Sequence, residues 1–166
     1  MVFIHPANTP DNLPVVPLYI NGIAQPVGEH EVFPVISSIR DVPIHYAVSA
    51  TPASATAACD AAAAAFTSWR KTSPAHRRGL LLKAADILES RMQDIMQWQM
   101  DETSCPKEWA WFNIKNGVTG VREIAAATTE IRGTVSQRET SPDGSEGEGL
   151  TVVVREPIGV VLVIPP

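Results

Sequence analysis

Apolar positions recur along this chain with two different periods, and the change of period divides it into an early stretch of short strands, a long helical middle and a β-branched end. Leu18-Tyr19-Ile20 and Ile23-Ala24 flank Asn21-Gly22, the dipeptide that best supplies positive φ at both central turn positions, which predicts a hairpin. Glu31–Val35 and Ile44–Val48 predict two more short strands around a turn at Arg40-Asp41. Residues 1–17 hold four prolines and little periodicity, the pattern of an extended tail.

From residue 51 the period lengthens. Thr51-Pro52 joins an N-cap oxygen to a proline at the first helical position, and the alanine-rich segment behind it favours helix by propensity alone. Ala58, Ala61, Ala62, Ala65, Phe66 and Trp69 share one face, so close approach to another backbone is expected over the small residues. Ser73-Pro74 repeats the start signal, and Leu80, Leu81, Ala84, Ile87, Leu88, Ile95 and Met96 form a long apolar stripe with Arg77, Arg78, Lys83, Glu89 and Asp94 toward water. Pro106 opens a third helix whose expected face is Trp109, Phe112, Gly117, Gly120, Ile124, Thr128 and Ile131. The two interior glycines cost about 1 kcal/mol each relative to alanine, so something is expected to pack closely there, and Gly133 is a candidate C′ residue.

The end of the chain returns to β character. Thr134–Ser136 and Thr151–Arg155 predict a strand pair across the acidic, glycine-rich loop 137–149. Pro157 and Gly159 then turn the backbone, and Val160–Ile164 gives five consecutive apolar residues. A strand without a polar face is expected to be buried on both faces, as in the centre of a parallel sheet, where ligands sit beyond the strands' carboxyl ends. Here that end is Pro165-Pro166.

Composition narrows the function classes. With 166 residues, 45% hydrophobic and 19% charged, the chain can build a core and is not disordered throughout. A net charge of −5 argues against nucleic acid or an anionic membrane as partner. No apolar run approaches a membrane span and the Met1 end lacks a signal-peptide pattern, so a cytoplasmic location is expected. Cys59 and Cys105 read as free thiols rather than a disulfide framework.

Candidate chemistry is sparse. Cys105 precedes Pro106 at a helix start, where the dipole favours a thiolate, but no histidine lies near it in sequence. Cys59, within the alanine helix, reads as a small packed hydrophobe. His5, His30, His45 and His76 show no metal spacing, and His76 reads as a solvated first-turn residue. The adjacent carboxylates Asp101 and Glu102 point in different directions on a helix and read as solvated. Trp98, Trp109 and Trp111 lack basic interleaving, which favours core or interface use. A dinucleotide fingerprint would follow the buried strand, whereas Gly159 precedes it.

Three stretches carry a family resemblance: Leu18–Gly22, the long segment Ala64–Arg91, and Arg155–Pro166. In content, order and spacing they resemble the amino-terminal part of the aldehyde dehydrogenase superfamily, from about Pro17 to the last residue. The resemblance implies an α/β fold in which helices precede an incomplete Rossmann-like sheet and a protruding strand pair. It leaves the tail at 1–16 unaccounted for and places a hairpin and helical part of the cofactor domain at 17–132, an oligomerisation strand pair with its flexible loop 137–149 at 133–156 and the first buried strand at 157–166. It also implies oxidation of a small aldehyde to a carboxylic acid with NAD or NADP, by a cysteine nucleophile and a glutamate base. Pro166 matches the proline of the family's P-W-N motif, whose asparagine helps hold the oxyanion. Of the cofactor cleft only Ile164, Pro165 and Pro166 find matching positions, and neither Cys59 nor Cys105 matches the nucleophile. The expectation is a truncated homologue, incompetent for hydride transfer alone and joined to copies of itself or to a full-length homologue. The alternatives are an oligomerisation or regulatory module and a repurposed non-redox isomerase or cyclase.

Overall fold

The computed structural model describes residues 12–27, 31–138 and 149–164. A small sheet, a hairpin, four helices and a two-stranded ribbon follow one another along the chain. The fold is mixed α/β.

The three-stranded sheet runs from β1 (Val15–Val16) through β5 (Pro43–Val48) at its centre to β4 (Val32–Ile36). β4 pairs with β5 antiparallel, and Pro34 is tolerated there because β4 is an edge strand. The turn between them is closed by Ser37 N–H donating to the Val42 carbonyl at 2.9 Å, with Asp41 at φ 52°. β1 (Val15–Val16) pairs with β5 in parallel, Val15 opposite Tyr46. The tail expected over residues 1–17 is thus corrected at its inner end. Val15 is fully buried among Tyr46, Val48, Leu13, Leu18, Val27 and Val32, because a β-branched side chain beside a central strand gains more from burial than from solvent. Residues 1–11 lie outside the described residues. β2 (Tyr19–Ile20) and β3 (Ile23–Ala24) form the expected hairpin, with Asn21 at φ 54° and Gly22 at φ 74°.

α1 (Pro52–Trp69) begins with a reciprocal cap: Ser54 N–H donates to Thr51 Oγ1 at 3.1 Å, and Thr51 N–H donates to Ser54 Oγ at 2.7 Å. α2 (Pro74–Ser90) is capped by Ser73 Oγ, which accepts from His76 N–H at 3.1 Å. The single long helix read from the sequence is broken at Arg91, whose backbone (φ −102°, ψ 13°) leaves the helical region and starts α3 (Met92–Thr103). α4 (Lys107–Ala127) follows Ser104, which ends α3 in the left-handed conformation at φ 57°.

α2, α3 and α4 pack on one another around Ala85, Met96, Ala110, Ile114 and Val118, with Leu88, Met92, Ile95, Met100, Cys105 and Val121 at the rim. The buried stripe on α4 is therefore Ala110, Ile114, Val118 and Ala125, one step round from the expected face, and Trp109, Phe112 and Ile124 are exposed. α2 behaves alike: Ala85 is buried while Leu80 and Ile87 face away. Both helices carry more than one apolar stripe, and a small residue, Ala85 on α2 and Ala110 on α4, lies at the centre of each buried face. Gly117 lies 3.9 Å from Leu88 Cδ2 by its would-be Cβ, whereas nothing approaches Gly120. The close packing expected at that second glycine is not found. α1 buries no residue, so the close approach expected over its alanines is not made either.

α4 runs into a 3-10 turn at Thr128–Glu130, and the ribbon follows as β6 (Thr134–Arg138) with β7 (Gly149–Val153), antiparallel with Thr134 opposite Val153. Gln137, Arg138 and Gly149 belong to its strands rather than to the expected loop; residues 139–148 lie outside the described residues. Gly133 has no positive φ and is not the expected helix cap. It is needed for space, since a Cβ there would sit 2.6 Å from the Val153 carbonyl oxygen.

Candidate functional site

The segment singled out as a buried strand, 157–164, turns at Gly159 (φ 104°) and continues without joining any ladder among the described residues. Ile164 is 82% exposed, and Leu162 and Val163 are also largely open. The expected burial is corrected for a simple reason. A strand with two apolar faces needs neighbouring strands and covering helices, and among the described residues this segment joins no sheet and faces α1 across a groove. Gly159, Val160 and Val161 border a groove of about 310 Å³ whose other wall is Ala62, Ala65, Phe66 and Trp69. The small-residue face of α1 thus meets the chain end across open space. Pro165 and Pro166 lie outside the described residues.

Dinucleotide phosphates require convergent backbone N–H groups at a glycine-rich turn opening a helix. The only candidate cofactor residue described, Ile164, offers an exposed apolar side chain, and Gly159 opens no helix among the described residues. The described residues do not fit NAD or NADP by themselves.

The thiols stand apart in setting. Cys59 is exposed on α1 rather than packed as expected, whereas Cys105 is half-buried at the rim of the helical core. Among the described residues no group of three or more His, Cys, Asp or Glu stands where a metal ion could be held.

Asp101 and Glu102 are engaged, contrary to their reading as solvated carboxylates. Asp101 Oδ1 pairs with Arg40 Nη2 at 2.6 Å, and Asp101 Oδ2 accepts from Gln97 at 2.9 Å. Glu102 Oε1 lies 3.5 Å from Nε2 of His45, which is buried on β5 and meets Trp98 edge-on with ring centroids 5.4 Å apart. Ser104 Oγ accepts from Ser38 Oγ at 2.8 Å and from Ile39 N–H at 3.1 Å. The contacts of Arg40, Ser38 and Ile39 fasten the end of α3 to the β4–β5 turn across more than sixty residues of sequence, so no local pattern announces them.

Glu89, expected toward water, bridges α2 to α4: Arg122 donates to its Oε2 at 2.7 Å and Lys115 to its Oε1 at 3.0 Å. Arg122 also reaches Asp86 at 2.9 Å. Hydrogen bonds from Arg122 and then Lys115 hold the Glu89 carboxyl below the usual carboxylate range, and those to Asp86 and Glu89 raise Arg122 further. Lys115 and Arg122, seven residues apart on one helix face, were the available signal. This cluster docks two helices and performs no evident chemistry.

A wider groove of about 570 Å³ runs between α3 and the start of α4, walled by Met96, Trp111 and Phe112 with Gln93, Lys107 and Glu108 at its edge. Phe112 stacks on Trp109 with centroids 5.5 Å apart. No helix among the described residues is long and apolar enough to cross a membrane.

A profile described as "Aldehyde dehydrogenase family" matches residues 26–166. Among curated relatives, the chain is similar to a salicylaldehyde dehydrogenase of Pseudomonas putida, 32% identical over 149 residues, covering 90% of this chain and 30% of that protein. It is also similar to a vanillin dehydrogenase of Pseudomonas sp. strain HR199, 35% identical over 151 residues, covering 91% and 30%. Among solved structures, a salicylaldehyde dehydrogenase from Pseudomonas putida complexed with salicylaldehyde superposes with a TM-score of 0.75 at 30% identity, over 87% of this chain and 29% of that one. The chain spans about 30% of the length of the curated relatives it matches.

Proposed function

The chain belongs to the aldehyde dehydrogenase family, and from that premise we propose that it serves NAD(P)-dependent oxidation of an aldehyde without transferring hydride by itself. In this reading it supplies the helical flank, the strand ribbon and one lip of the cofactor cleft. The observation that carries it is the exposed apolar run Val160–Ile164, which faces α1 across a groove and joins no strand among the described residues. A cleft is made between strands and covering helices, so an unpaired apolar run presents a lip without an opposite wall among the described residues. Neither thiol is assigned a reacting role in this reading: Cys59 stands open on α1, Cys105 is half-buried at the rim of the helical core, and neither matches the family's nucleophile by resemblance.

An aromatic aldehyde is the proposed substrate class, supported by relatives named for salicylaldehyde and vanillin. The test is incubation of the purified chain with NAD or NADP and either aldehyde, following reduced nicotinamide. None is expected; sustained production by the chain alone overturns the reading.

A second reading concerns association. Every described burial state along β7 is exposed, and Val135, Leu150, Val152 and Val153 present apolar side chains on the ribbon. Such a ribbon suits edge addition to another copy or to a full-length homologue. Size-exclusion with and without that homologue checks it: co-elution is expected, and separate elution at every concentration counts against it.

A further inference from the structure

We draw no further inference here: the strongest candidate, the apolar groove of about 570 Å³ between α3 and the start of α4 walled by Met96, Trp111 and Phe112, carries nothing because no observation in the structure shows what covers it.

Discussion

Gly133 meets the backbone of Val153 so closely that a Cβ on the glycine would stand 2.6 Å from the Val153 carbonyl oxygen. Thr134, the next residue, pairs with Val153 in the ribbon, so the contact fixes where the ribbon leaves the helical body. The obstacle is a carbonyl held in a ladder and cannot swing aside like a side chain. Gly133→Ala is expected to cost about 1–3 kcal/mol of local stability, as an overpacked methyl does elsewhere. Gly120→Ala is the contrasting substitution, because nothing lies within 4 Å of its would-be Cβ and its backbone is helical. Removing a glycine from a helix interior there should stabilise by up to about 1 kcal/mol. Hydrogen exchange at 134–138 and 149–153 together with urea unfolding distinguishes the two, and equal effects would contradict the geometry.

The α2–α4 junction should be acid-sensitive through Glu89. Its folded pKa is lowered, chiefly by the hydrogen bond from Arg122 and next by that from Lys115. A group lowered on folding contributes stability that is fully present above its unfolded pKa and is lost as pH falls through the folded value. Thermal melts of the chain should therefore decline on the acid side of the ordinary glutamate range. In Glu89→Gln this part of the decline should be missing, at the expense of a lower midpoint at neutral pH. Unchanged acid dependence in the variant would remove Glu89 from the account. The effect is modest, because the carboxylate and both cations remain partly exposed.

Val15 ties the early chain to the centre of the sheet. It is fully buried, and the neighbouring Pro14 carbonyl accepts from Tyr46 N–H at 2.9 Å. Val15→Ala should cost roughly 1–3 kcal/mol, the transfer value of its two methyls plus the cavity they leave. Val16→Ala, one residue on and only half-buried, should cost less. Urea titrations of the two variants give the comparison; a larger loss for Val16 would mean that β1 faces the other way.

What could be seen in the sequence was whatever is enforced within a few residues. The starts of α1 and α2 were legible because Thr51 and Ser73 cap helices three residues away, and the hairpin because Asn21-Gly22 sets its own dihedrals. Which apolar stripe would be buried was not legible. Trp109 and Phe112 outweigh Ala110 and Ile114 in hydrophobic content, yet the smaller pair is buried and the aromatic pair exposed. The parallel pairing of Val15 with Tyr46 and the contacts of Ser104 with Ser38 and Ile39 depend on partners far along the chain. The family was legible from Ala64–Arg91, a continuous stretch, and the profile match over 26–166 bears it out. Of the candidate cofactor residues only Ile164 is described, and its exposure follows from neighbours that sequence pattern cannot supply.

The exposed run at 160–164 makes the last prediction. Val160, Val161, Leu162, Val163 and Ile164 are each more than half open, and no charge interrupts them. Contiguous apolar surface of this kind, with backbone groups free to enter a ladder, favours association. Leu162→Lys places a charge at the most exposed of the five without touching the helical core or the ribbon. Sedimentation of the purified chain should show concentration-dependent association that is weakened several-fold by this substitution, while its melting midpoint stays unchanged. Ile124→Lys, on the exposed stripe of α4, is the control for non-specific stickiness, since it removes a comparable apolar side chain elsewhere. If the two variants reduce association equally, the 160–164 run is no privileged surface; if neither does, the chain's contacts with itself run through the ribbon instead.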